Sequence, residues 1–188
     1  MYRVMVVDDE DGILTPLKRL LMATPCVHQG VTYPLEVETY ASPVEALERL
    51  RHTPYALVLS DCRIPEMDGA TFLIKVRQLQ PTGVRMIISS YSDLNRLVDA
   101  INEAQITRFI AKPWNDGELI SSIAQALAYR DLQLENMRLA DEKRLERGDL
   151  SREEFALKRL YETQPGLVRG NWGPDGSAIF DRNSIWFG

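Results

Sequence analysis

The sequence predicts an α/β protein, a doubly wound sheet of five parallel strands with helices on both faces. Three observations predict it. Strand-like and helix-like segments alternate over the first two thirds of the chain, the pattern that calls for a parallel sheet. The segment Ala56 to Leu59 is apolar at every position, as a strand buried on both faces must be. Charged and hydroxyl residues follow the apolar runs, at the carboxyl ends of the strands where open sheets build their sites.

The elements follow in order. Val4 to Val7 is an apolar run closed by Asp8 and Asp9, and Ile13, Leu17, Leu20 and Leu21 carry helical spacing from Gly12 to about Met22, with Pro16 expected to kink the first turns. Thr24 to Pro34, with two prolines and a glycine, reads as a loop before a second strand at Leu35 to Tyr40. Ser42 and Pro43 fit the N-cap and first position of a helix through Ala46, Leu47 and Leu50. Ala56 to Leu59 is the third strand, and Asp61 stands just past its end.

A loop from Cys62 to Gly69 leads into a helix through Phe72, Leu73, Val76 and Leu79, stopped by Pro81 and Gly83. Val84 to Ile88 is the fourth strand, Asp93 caps a helix through Leu94, Leu97, Val98 and Ile101, and Arg108 to Ala111 is the fifth strand. From Glu118 no glycine or proline intervenes until Gly148, which allows a last helix of about 30 residues, about 45 Å long. Its heptad positions 120, 127, 134 and 123, 130, 137 hold Ile, Leu, Leu and Ile, Arg, Met, a weak coiled-coil seam. Ser151-Arg152-Glu153-Glu154 has the form of a capping box for one more helix, ending before Pro165-Gly166. Leu167 to Phe180, turning at Gly173-Pro174-Asp175-Gly176, reads as a β-hairpin, and Trp172, Ile179, Phe180, Trp186 and Phe187 need a surface to pack on.

The expected division is therefore a domain at 1–129, a helical extension at 130–148 and a helix-plus-hairpin tail at 149–188, a size suited to one ordinary domain and an appendage. Hydrophobic residues make up 45% and charged residues 26%, the balance of a soluble globular chain. The net charge of −5 argues against a general nucleic-acid binder. Cys26 and Cys62, with no Cys-x-x-Cys pair, indicate neither a zinc site nor a disulfide framework and fit a reducing cytoplasmic setting. The apolar start is too short for a signal peptide or a membrane span.

If strands one and three are neighbours, Asp8, Asp9 and Asp61 converge in one cleft, with Ser89 and Lys112 at the ends of strands four and five completing the rim. Three carboxylates together are unfavourable unless a cation joins them. Mg²⁺ suits such a shell of carboxylates, a carbonyl, waters and a phosphate oxygen.

Four segments, Val6-Val7-Asp8-Asp9-Glu10, Asp61-Cys62-Arg63-Ile64-Pro65-Glu66-Met67-Asp68-Gly69, Ile87-Ile88-Ser89-Ser90-Tyr91 and Phe109-Ile110-Ala111-Lys112-Pro113-Trp114, resemble in order and spacing the signature segments of response-regulator receiver domains. The resemblance covers about Met1 to Tyr129. It implies a flavodoxin-like sheet in the order 2-1-3-4-5 and a signalling protein, not an enzyme in the ordinary sense. By it, Asp61 accepts a phosphoryl group from a sensor histidine kinase or phosphotransfer protein. Asp8, Asp9, Asp61 and the backbone carbonyl of Arg63 hold Mg²⁺. Ser89 bonds the transferred group, Lys112 neutralises it, and Phe109 is the aromatic switch that follows Ser89. Arg63 and Ser90 are neighbours of a kind that influences how long the phosphate lasts. Cys62 reads as core packing, and His28 and His52 carry no assigned role.

Leu145 to Phe155 with Leu157-Lys158-Arg159-Leu160 resembles the SHOCT segment, an oligomerisation motif. No helix-turn-helix follows the receiver stretch, so direct DNA binding is not expected. Two readings remain: a phosphorylation-controlled interaction protein that forms a homodimer and meets a downstream protein partner, or a phosphotransfer intermediate or phosphate sink with a structural tail. An inactive scaffold is disfavoured because every site position is filled.

Overall fold

A computed structural model describes residues 1–90, 102–163, 171–172 and 178–179. The helix expected through Leu94 and Ile101 with its cap Asp93, the residue Tyr91, the Pro165-Gly166 stop, the turn at 173–176 and the aromatics Phe180, Trp186 and Phe187 lie outside the described residues.

The strands are β1 (Tyr2–Val7), β2 (Val27–His28), β3 (Val31–Thr32), β4 (Leu35–Tyr40), β5 (Leu57–Asp61), β6 (Val84–Ser89), β7 (Arg108–Ala111), β8 (Asn171–Trp172) and β9 (Ala178–Ile179). The helices are α1 (Asp11–Ala23), α2 (Pro43–His52), α3 (Gly69–Leu79), α4 (Asp116–Arg147) and α5 (Arg152–Thr163). The main sheet runs β4-β1-β5-β6-β7, every pair parallel. Counting only its own strands, this is the expected order 2-1-3-4-5. Alternation along β1 sends Val4 and Val6 into one core with α1 and α4, and Met5 and Val7 into the other with α2 and α3.

Local chemistry sets the helix ends. Ser42 Oγ accepts from the Glu45 amide with Pro43 at the first turn, Asp68 Oδ1 accepts from the Thr71 amide at 2.9 Å, and Asn115 Oδ1 from the Glu118 amide at 3.0 Å. Ser151 and Glu154 form the reciprocal capping box, with bonds of 3.1 and 2.9 Å. Gly148 ends α4 at φ 78°, a left-handed position that suits glycine. Pro16 lies within α1, which is helical from Asp11 to Ala23 on both sides of it.

The structure departs from the sequence reading in two places. The stretch read as a loop from Thr24 to Pro34 contains the antiparallel hairpin β2–β3, turned at Gln29 and Gly30 with φ 48° and 79°. Two positive φ values in a two-residue turn match the twist of the flanking strands, and His28 therefore lies on a strand. Asp61 is the last residue of β5 and not the residue beyond it. Of the heptad positions, Ile120, Ile123 and Leu127 are buried in the α1 core and Leu134 is half-buried. That stripe packs on the chain's own sheet because α4 begins as a sheet-covering helix. Leu132 and Leu139, seven residues apart, are exposed instead.

Candidate functional site

The parallel direction of all five strands brings the ends of β1, β5, β6 and β7 to one edge. Asp8 directly follows β1; it is 1% exposed, and its Oδ1 accepts from the Glu10 amide at 2.9 Å. Asp9, the next residue, is exposed, as alternation of an extended chain requires. Asp61 is 7% exposed at the end of β5, opposite Ile88 of β6. Its Oδ2 accepts from the Arg63 amide.

Lys112 ties the acids together. Its Nζ lies 2.6 Å from Asp61 Oδ1 and 2.9 Å from Asp8 Oδ2, and its amide donates to the Ser89 carbonyl at 2.8 Å. Burial alone lowers the ammonium pKa, but the bonds to Asp61 and Asp8 outweigh it and hold the pKa above the ordinary lysine value. The Lys112–Pro113 peptide bond is cis.

Ser89, buried, ends β6 opposite Ala111, and Phe109 pairs with Ile87 two residues earlier. Ser89 and Phe109 are thus diagonal neighbours on one sheet face, and Phe109 packs against the α2–α3 core. Arg63 is exposed and its guanidinium reaches Ser90 Oγ at 3.5 Å.

Among the described residues no group of three His, Cys, Asp or Glu side chains is close enough to hold a metal; Asp8 and Asp61 meet at Lys112, and Asp9 beside Asp8 is exposed. The donor set still suits a hard divalent cation. Two buried carboxylates aim oxygens at one point within 2.9 Å, and a single ammonium leaves their charge only half balanced.

Gly69 is a positioning residue that the motif quotes but residue-by-residue reasoning did not single out. Its amide donates to the Cys62 carbonyl at 2.8 Å, and a Cβ there would stand 1.8 Å from the Asp61 carbonyl oxygen. Its signal in the sequence is the Asp68-Gly69 step, a helix cap followed by the smallest residue.

Comparisons with known proteins agree with this geometry. Residues 4–124 match the model of the response regulator receiver domain. The hydrogenase transcriptional regulatory protein HoxA of Cupriavidus necator is 36% identical over 136 residues, covering 72% of this chain and 26% of that protein. The C4-dicarboxylate transport transcriptional regulatory protein DctD of Rhizobium meliloti is 33% identical over 162 residues, 85% of this chain and 33% of that protein. The chain thus spans between a quarter and a third of these two regulators. Among solved structures, an uncharacterized protein from Neptuniibacter caesariensis is 40% identical with a TM-score of 0.63, over 73% of this chain and 95% of that one. The signal receiver domain of an HD domain-containing protein from Pseudomonas fluorescens Pf-5 is 30% identical with a TM-score of 0.63, over 71% and 92%. Sheet order, strand direction and a family match that takes in β1 through the first turns of α4 lead to one assignment: the chain belongs to the response regulator receiver domain family.

Proposed function

We propose that Asp61 is the phosphoacceptor of a two-component system and that the chain passes the signal on through its helical extension and tail. The observation that carries this reading is the pair of buried carboxylates, Asp8 and Asp61, joined by the one ammonium of Lys112. Receiver domains are signalling proteins and generally use Mg²⁺ for phosphorylation; here Asp8, Asp9, Asp61 and the Arg63 carbonyl are the residues to hold it. When bound it supplies positive charge beside the incoming phosphoryl oxygens. A carboxylate oxygen of Asp61 attacks the phosphorus of a phosphohistidine on a sensor kinase or phosphotransfer protein. The O–P bond forms as the P–N bond breaks, and the imidazole nitrogen keeps the electron pair. Lys112 then balances the transferred charge and Ser89 donates a hydrogen bond to it, with Phe109 repacking beside Ser89. Such transfer asks for position and charge more than for proton chemistry.

The division into a receiver at 1–129, an extension at 130–148 and a tail at 149–188 is part of the same proposal. α5 folds back on α4, with Lys158 Nζ 3.0 Å from Asp141 Oδ1, in the stretch that resembles the SHOCT segment. That resemblance and the exposed Leu132 and Leu139 favour a homodimer that meets a downstream protein partner.

Acetyl phosphate with Mg²⁺ tests the acceptor. One phosphoryl group is expected on the wild-type chain, read by intact mass, and none on Asp61→Asn. Equal labelling of the variant overturns the assignment.

A further inference from the structure

At the amino ends of the strands, on the side of the sheet away from Asp61, α3, residues 103–107 and the middle of α4 enclose a groove of about 750 Å³. That volume is within the range of small-molecule sites. Three guanidinium groups line it, from Arg77, Arg85 and Arg130. Arg85 is the unusual one. It lies within β6, is 5% exposed, and no carboxylate pairs with it among the described residues.

Its hydrogen bonds run from Nε to the Ala104 carbonyl at 2.7 Å and from Nη1 to the carbonyls of Gly83, Pro81 and Gln80. None runs from Nη2. No buried side-chain polar atom among the described residues lacks a partner, so Nη2 is open to solvent, and Arg85 lines the groove. Carbonyl oxygens orient a guanidinium without cancelling its charge, and a buried charge with no counter-ion is costly. Burial, and then Arg77 beside it, push the Arg85 pKa down to about 10, the direction expected where positive charge lacks an anion.

The other two arginines also donate to backbone carbonyls. Arg77 Nη1 donates to the Glu103 carbonyl at 2.6 Å, and Arg130 Nε to the Thr82 carbonyl at 3.0 Å, with Asp131 3.6 Å from its Nη1. Among the described residues Glu103 is the one acid in the lining and Asp131 stands beside Arg130, so three guanidinium groups meet two carboxylates there on a chain whose net charge is −5. The remaining wall includes Ile74, Leu134 and Met137, the last 38% exposed.

We propose that this groove is a second ligand site, which binds a small organic anion by its carboxylate or phosphate head at Arg77, Arg85 and Arg130 and by an apolar body against Ile74, Leu134 and Met137. The site is independent of phosphorylation at Asp61, since it lies at the opposite ends of the strands, about 15 Å along β6 from Ser89. A bound anion would join the receiver body to α4, because residues of both line the groove.

The test uses the full chain and three probes that share one aromatic body: 1-naphthyl phosphate, 1-naphthoate and uncharged 1-naphthol. Affinity is read from naphthalene fluorescence, and place from methyl-labelled methionine NMR, with the Met137 signal identified by Met137→Leu. At least one anionic probe is expected to shift Met137 saturably and to bind about tenfold or more tightly than naphthol, a preference of about 1.4 kcal/mol; which anion binds better distinguishes a phosphate from a carboxylate ligand. The double variant Arg77→Gln, Arg130→Gln keeps the Arg85 bonds to the backbone and should lose about tenfold or more in affinity while still labelling with acetyl phosphate. Met137→Glu, which removes an apolar contact common to all three probes and places a negative charge at the mouth, should weaken the anions more than naphthol, and serves if the double variant does not fold. Equal binding of naphthol, no saturable Met137 shift, or unchanged anion affinity in the folded variants overturns the site.

Discussion

Gly69 has less room than any other described glycine. The atom a side chain would meet at 1.8 Å is the backbone oxygen of Asp61, which cannot swing aside as a long side chain would. Gly69→Ala therefore either displaces the acceptor or moves the start of α3, and should cost about 3 kcal/mol together with most acetyl phosphate labelling, read by urea unfolding and by mass. Labelling at the wild-type rate would show that the close approach is not needed for chemistry. Lys112 gives a second prediction. Its pKa is raised on folding, so its contribution to stability is whole below the ordinary lysine value of about 10.4 and is lost as pH rises through the folded value. Stability owed to this group should be flat from about pH 6 to 9 and fall in stronger alkali. Lys112→Met should remove that alkaline fall and cost about 2–4 kcal/mol near neutrality, the figure for breaking a buried pair reduced for the exposed part of the side chain. Urea midpoints across pH check both. The acids and the lysine were legible in the sequence because each stands at the end of an apolar run. Arg85 was not, since a charge inside a strand gives no sign that four carbonyls will surround its guanidinium.

Among elements, α4 is the one whose two halves differ. Its first turns are buried through Leu127, and where it leaves the sheet two bonds hold it: Tyr2 Oη donates to Asp131 Oδ2 at 2.5 Å and Arg130 donates to the Thr82 carbonyl. The bond to Asp131, then burial, then the negative charge push the Tyr2 pKa up to about 12. Because the protonated form is favoured on folding, this contribution is present below the ordinary tyrosine value of about 10 and is lost as pH rises toward 12. A difference titration at 295 nm between wild type and Tyr2→Phe should show one tyrosine ionising near pH 12; a difference centred near pH 10 would mean that the bond does not form in solution. The length of α4 was readable from the absence of glycine and proline between Glu118 and Gly148. The β2–β3 hairpin was not, because strands of two residues carry no periodicity. Its one sequence signal is Gln29-Gly30, a weaker turn pair than Asn-Gly.

For the whole molecule, the open question is what covers the far half of α4. Of the heptad positions along α4, Ile120, Ile123 and Leu127 serve the chain's own core. Periodicity reports that a helix has an apolar face without saying which neighbour it meets. Leu132 and Leu139, 58% and 44% exposed, form the stripe that a second copy would bury, and two-fold pairing lets one stripe serve both chains. Light scattering of the full chain should report a dimer, and Leu132→Glu with Leu139→Glu should give a monomer. A dimer in both would place the contact elsewhere, and a monomer in both would leave α5 and the tail as the cover. Among the described residues no helix is long and apolar enough to cross a membrane.

The clamp at Tyr2 and Arg130 makes α4 a lever with its fulcrum at the base of the sheet. Beyond Tyr129 the helix continues to Arg147, an arm of about 27 Å at 1.5 Å per residue. A turn of about 10° at the fulcrum sweeps the tip through about 5 Å, roughly the spacing between two strands. Whatever alters the few bonds at the foot of α4 is thereby magnified at its far end, where α5 is attached.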